Sequence, residues 1–63
     1  MTIYLNDKPF GIPSGARIRD AVLRFCTANG IGYSEDLTVL DEWGNQVMHS
    51  GPADENGKYY INI

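Results

Sequence analysis

Helical periodicity occurs once in this chain. Ile18, Ala21, Val22 and Phe25 fall at i, i+3, i+4 and i+7, which places them on one helical face. Cys26 lies on the margin of that stripe and Leu23 flanks it on the other side. Elsewhere the apolar residues alternate with polar ones, the period of a strand with one buried face. One helical stripe can cover one sheet, so the economical arrangement is a single sheet with the helix packed across it. The 63 residues hold one core and one domain, residues 1–63. A chain of this size buries only about 60% of the surface its unfolded form exposes, so modest stability is expected.

The punctuation between these runs fixes an order. "TIYLNDKPFGI" reads as a hairpin: Ile3 and Leu5 alternate with Thr2 and Tyr4, Asn6-Asp7-Lys8 turns, and Phe10 and Ile12 alternate with Pro9 and Gly11. Pro9 lacks a ladder donor and Gly11 lacks a side chain, which sends the second strand to a sheet edge. After the loop "IPSGA" comes the helix, closed by Asn29-Gly30, residue types that accept the left-handed conformation of a helix end. Asp20 suits the positive end of the helix, whereas Arg17 and Arg19 oppose it. "LTVLD" is a strand, "EWGN" a turn, "QVM" a short partner strand, "HSGPADENG" a polar surface loop and "KYYINI" the last strand. In that strand Tyr59, Ile61 and Ile63 share one face, and Tyr60 and Asn62 the other. The expected class is α+β: a mixed sheet of four to five strands on one helix, the first and last strands side by side at its centre.

"IYLNDKPFGIPSGARIRDAV" resembles the opening of β-grasp domains, the ubiquitin-like fold shared by sulfur carriers of thiamin and molybdopterin synthesis and by plant-type ferredoxins. The hairpin turn "LNDKP", the loop "PSGA" and the helix start at Ile18, Asp20 and Ala21 carry the likeness, and "ADENGKYYINI" resembles the last turn and strand. The sulfur carriers end in a Gly-Gly tail whose terminal carboxylate is adenylated, because only bare backbone threads an enzyme's narrow channel. This sequence ends at Ile63, within the strand, and that end is expected to be structural. Withdrawing it would expose Ile61 and Ile63 at about 1.5–3 kcal/mol each, a large share of a small domain's stability. The resemblance therefore implies the fold. A sulfur-carrier role is the alternative reading, should the natural chain continue to Gly-Gly. A ferredoxin cluster needs four thiolates, and the chain has one cysteine.

Candidates for chemistry are few. Cys26 has no partner for a disulfide and no local base, and reads as a half-buried helical thiol of a protein in a reducing, cytoplasmic setting. His49 is the only histidine and reads as a loop residue. "DENG" lacks the alternating ligands of a calcium loop, and neither Ser14 nor Ser50 lies in a phosphate loop or nucleophile elbow. No catalytic residue, metal site or cofactor is expected. No signal peptide or membrane-spanning run is evident. The formal charge of -3 argues against nucleic acid. What remains is a set of outward aromatics and cations. Tyr4, Tyr60 and Trp43 fall where alternation points them away from the core or out on a turn. Arg17, Arg19 and Arg24 share one short window with Asp20 alone of the eight acidic residues. Exposed aromatics near arginines are the side chains that dominate protein-protein contacts. The expected role is non-enzymatic binding of a protein, through the open sheet face or the arginine-bearing helix, with a homodimer as one form.

Overall fold

A computed structural model describes residues 1–62; the expected packing of Ile63 lies outside them. The chain runs β1 (Thr2–Leu5), β2 (Lys8–Gly11), α1 (Ile18–Ala28), β3 (Val39–Asp41) and β4 (Lys58–Ile61). These form an α+β structure, one mixed sheet in the order β2-β1-β4-β3 with one helix. The hairpin closes through Asn6 and Asp7 at φ 51° and 69°. That is the doubly left-handed turn whose twist matches antiparallel strands and which Asn and Asp tolerate. As the proline and glycine of its sequence require, β2 lies at the edge.

The strand expected at Gln46–Met48 does not form. Gln46 makes a single bridge to Leu40, and the Val47 N–H donates to the Val39 carbonyl at 2.9 Å. Only Val47 of the three turns an apolar side chain toward the core, while Met48 is 75% exposed. The chain then leaves the sheet in a turn in which Gly51 N–H donates to the Met48 carbonyl at 3.0 Å. Four strands remain among the described residues. The strand read in "LTVLD" also shortens, because Leu37 turns back to Ser34 through a 3.2 Å backbone bond before β3 begins.

At the centre, β1 and β4 run parallel with Tyr4 opposite Lys58 and Leu5 opposite Tyr59. Tyr4 N–H donates to the Gly57 carbonyl and Asn6 N–H to the Tyr59 carbonyl, each at 2.9 Å. The Asn6 side chain then continues the ladder past the end of β1. Its Oδ1 accepts the Ile61 N–H at 2.8 Å, and its Nδ2 donates to the Ile61 carbonyl at 3.2 Å. An amide side chain thus imitates one more peptide unit.

One face of the sheet is covered. Ile3, Leu5, Val39, Tyr59 and Ile61 pack against Ile18, Ala21, Val22, Phe25 and Cys26 of the helix, closed by Ile12, Ala16 and Ala53 from the connections. Phe10 sits against Phe25 with ring centroids 6.0 Å apart. The helix ends are held differently. At the C-terminal end Gly30 takes φ 67° and Ile31 N–H donates to the Cys26 carbonyl at 2.8 Å, the expected left-handed stop. At the N-terminal end the Asp20 carboxylate accepts the Arg17 N–H at 2.8 Å. The carbonyls of Gly51 and His49 take the N–H groups of Ile18 and Arg19 at 2.9 and 2.8 Å. The polar 49–53 loop therefore supplies acceptors that a helix start lacks.

Replacing Asn6 by glycine keeps the left-handed backbone accessible and deletes both side-chain bonds. Urea unfolding is expected to show a loss of about 1–3 kcal/mol. A change of only a few tenths would mean that the bridge to Ile61 contributes nothing.

Candidate functional site

Among the described residues no helix or strand covers the sheet face opposite α1. Alternation along β1 and β4 turns Tyr4 and Tyr60 to it, and β3 adds Leu40 directly across from Tyr60. All three are half-buried. Tyr4 stands opposite Pro9 on one side and Lys58 on the other, so Tyr60 is its diagonal neighbour on the adjacent strand. The Tyr60 hydroxyl donates to Asp7 Oδ1 at 3.1 Å, which fixes the ring toward the hairpin turn. That hydrogen bond and the Asp7 charge raise the Tyr60 pKa above its ordinary value. Tyr4, Asp7, Asn56 and Lys58 together line a shallow depression on this face.

Trp43 is 77% exposed on the turn after β3. Asp41 Oδ1 accepts the N–H groups of both Trp43 and Asn45 at 2.9 Å, and Gly44 supplies φ 83°, a conformation that favours glycine. The indole lines a groove with Val47, Pro52 and Tyr59. This groove meets the Tyr4 depression at Asn56 and Lys58, which line both.

The arginines join neither tyrosine. They lie on or beside the helix, on the covered side of the sheet. Arg17 Nη1 donates to the Ser50 carbonyl at 2.7 Å and so straps the 49–53 loop. Arg19 lines a depression with Glu35, Asp36 and His49. Arg24 lines a groove between the helix and the β2 edge, with Phe10, Ile12 and Leu23. The six candidate contact residues thus divide among separate surfaces, and the Trp43 groove also meets the Arg19 depression, at Val47.

A pair invisible in the sequence joins two loops. His49 Nε2 lies 2.7 Å from the Leu37 carbonyl, and His49 Nδ1 lies 2.9 Å from the Tyr33 hydroxyl. A carbonyl only accepts, so Nε2 carries a proton, and Nδ1 shares a hydrogen bond with the Tyr33 hydroxyl. The rings meet edge-on at 5.8 Å. Burial first, and Glu35 second, raise the Tyr33 pKa against the opposing effect of Arg19. Cys26 takes no part in this pair and is 1% exposed, within the core. That is deeper than the half-burial expected from its place at the stripe's margin. Among the described residues no buried side-chain polar atom lacks a partner, and no three His, Cys, Asp or Glu side chains gather closely enough for a metal ion. No helix among them is long and apolar enough to cross a membrane.

No protein-family model matches the chain, and neither a curated protein nor a solved structure matches it.

Tyr33→Phe keeps the ring and removes the hydroxyl that bonds His49, and a loss of about 1–3 kcal/mol in stability is expected by thermal or urea unfolding. Unaltered stability would reduce the pair to a passive contact. Burial also raises the Tyr59 pKa. Tyr33, Tyr59 and Tyr60 all hold their protons more tightly folded than at the ordinary value of 10.0. Their contribution to stability is therefore whole below pH 10 and lost as pH rises through the folded values. Unfolding free energy measured against pH is expected to fall above pH 10, and more gently in Tyr59→Phe. A profile rising there would contradict the assignment.

Proposed function

We propose that this chain is a non-enzymatic β-grasp module of a reducing, cytoplasmic setting that docks a protein partner on the uncovered sheet face around Tyr4, Leu40 and Tyr60. The observation that carries the reading is the placement of two half-buried tyrosines, on adjacent central strands, on the one sheet face that no helix covers. Aromatic side chains with an apolar body and a polar tip suit a surface that is wet when free and dry when bound. The strand order, with parallel first and last strands at the centre, is compatible with a β-grasp-like fold. The formal charge of -3 disfavours nucleic acid as the partner.

A protein partner of ordinary affinity covers roughly 800 Å² on each side. That is a large share of the 3978 Å² accessible here, so the partner would reach beyond the tyrosines. Placing a photo-crosslinking benzoylphenylalanine at position 4 or 60, in the natural host, tests the reading. A discrete adduct is expected from both positions and none from position 27 on the exposed side of the helix. An adduct of twice the chain's mass would identify the partner as a second copy. With the partner in hand, Tyr4→Ala and Tyr60→Ala are expected to weaken binding by tenfold or more each. Absence of an adduct at both sheet positions, or the same adducts from position 27, would overturn it.

A further inference from the structure

The Trp43 groove combines an exposed indole with an uneven charge. Asp41, Glu42, Asp54 and Glu55 all line it, against Lys58 as the one basic residue there. Half of the chain's eight acidic residues thus stand around its only tryptophan, while the three arginines sit elsewhere. The apolar part of the lining comes from Trp43, Val47, Pro52 and Tyr59.

We propose that this groove docks a cationic segment of a partner protein, an extended stretch bearing lysine or arginine whose charge lies over the Trp43 ring among the four carboxylates. The inference rests on the docking-module reading for the identity of the partner as a protein, and not for the groove itself. Tryptophan is the aromatic that best attracts a cation to its face, and the surrounding carboxylates add to that attraction. The carboxylates are spread along the groove rather than converging: among the described residues no three close up on a point where one metal ion could sit. A distributed set of negative charge around a ring fits a chain carrying several cations better than it fits a single ion. A neutral or acidic segment would bury the indole at the expense of unpaired carboxylates.

Both walls are fixed before binding. The Trp43 wall is braced by the two bonds to Asp41 Oδ1 and by Gly44 N–H donating to the Asp41 carbonyl at 3.1 Å. Opposite, Gly57 N–H donates to the Asp54 carbonyl at 2.9 Å and Asn56 N–H to the Thr2 carbonyl at 2.7 Å. Asp54 N–H donates to the Tyr59 hydroxyl at 3.2 Å. Little backbone ordering is left for the complex to impose on this side, and the exposed side chains order on binding. Because Asn56 and Lys58 border both surfaces, a partner seated on the tyrosine face would reach the groove without a gap.

The single tryptophan gives the test a clean signal. A short synthetic peptide of Arg, Lys, Gly and Ser, titrated into the intact protein at about 0.05 M salt, is expected to change Trp43 emission saturably. The effect should weaken steeply toward about 0.5 M salt, as attraction between exposed charges is screened. A peptide with Glu and Asp in place of Arg and Lys should leave emission unchanged. Glu42→Gln and Glu55→Gln alter exposed side chains only and are each expected to weaken the basic peptide by roughly two- to fivefold. Trp43→Ala, followed by calorimetry, should weaken it tenfold or more. No saturable change, an equal change with the acidic peptide, or full affinity in the glutamine variants would overturn the proposal. A shift of emission on concentrating the protein alone would assign the groove to a second copy and overturn the claim of a separate partner. The two readings fail separately. Peptide binding lost while positions 4 and 60 still crosslink removes only the groove, and crosslinks lost while the peptide binds remove only the tyrosine face.

Discussion

The rest of the structure hangs on the parallel pairing of β1 with β4. Parallel neighbours cannot be joined by a tight turn, so after the β2 edge the chain must leave the sheet and return to it at the opposite edge, β3, before β4 can pair with β1. The helix is the cover that makes this return worthwhile, burying Ile3, Leu5, Tyr59 and Ile61 beneath Val22 and Phe25. Two short strands would make few ladder bonds of their own. The Asn6 amide lengthens the pairing by bonding both polar groups of Ile61, at 2.8 and 3.2 Å. A residue chosen by the hairpin turn for its left-handed backbone thereby also serves the sheet centre.

The same topology decides which surfaces remain for function. One helix covers one face, and Tyr4, Tyr60 and Leu40 are left on the other. The helix start, facing away from them, is occupied with holding the chain together. Carbonyls of His49 and Gly51 satisfy its first N–H groups, Arg17 reaches the Ser50 carbonyl, and His49 itself is pinned between Tyr33 and Leu37. The polar loop is thus tied down in its backbone and at His49, while Ser50 and Pro52 stay exposed. The proposed docking surfaces lie elsewhere, on the sheet face and at the Trp43 turn.

Features set by neighbours in sequence were legible without coordinates. The Asn6-Asp7 turn, the stop at Asn29-Gly30, the edge position of β2 and the helix stripe all follow from local backbone preference or from periodicity. Features set by distant partners were not. His49 and Tyr33 stand 16 residues apart with loops between them, and no spacing rule connects them. Arg17 read as a misplaced cation because the carbonyl it meets belongs to Ser50, 33 residues on. "QVM" has the composition of a strand, but only Val47 of its three residues packs on the core, and pairing stops at one bridge. The candidate contact residues were legible as outward-pointing. Their division between sheet face and helix was legible too, but the meeting of the Trp43 groove with the Tyr4 depression at Asn56 and Lys58 was not, because it joins segments distant in sequence.

Backbone amide hydrogen exchange, followed residue by residue by NMR, tests the central pairing most directly. The account predicts that the N–H groups of Tyr4, Asn6 and Ile61 exchange slowest in the chain, opening only when the whole domain unfolds. Exchange at these three as fast as in the exposed turn at Glu35 and Asp36 would contradict it, and would mean that the first and last strands are not joined at the centre of the sheet.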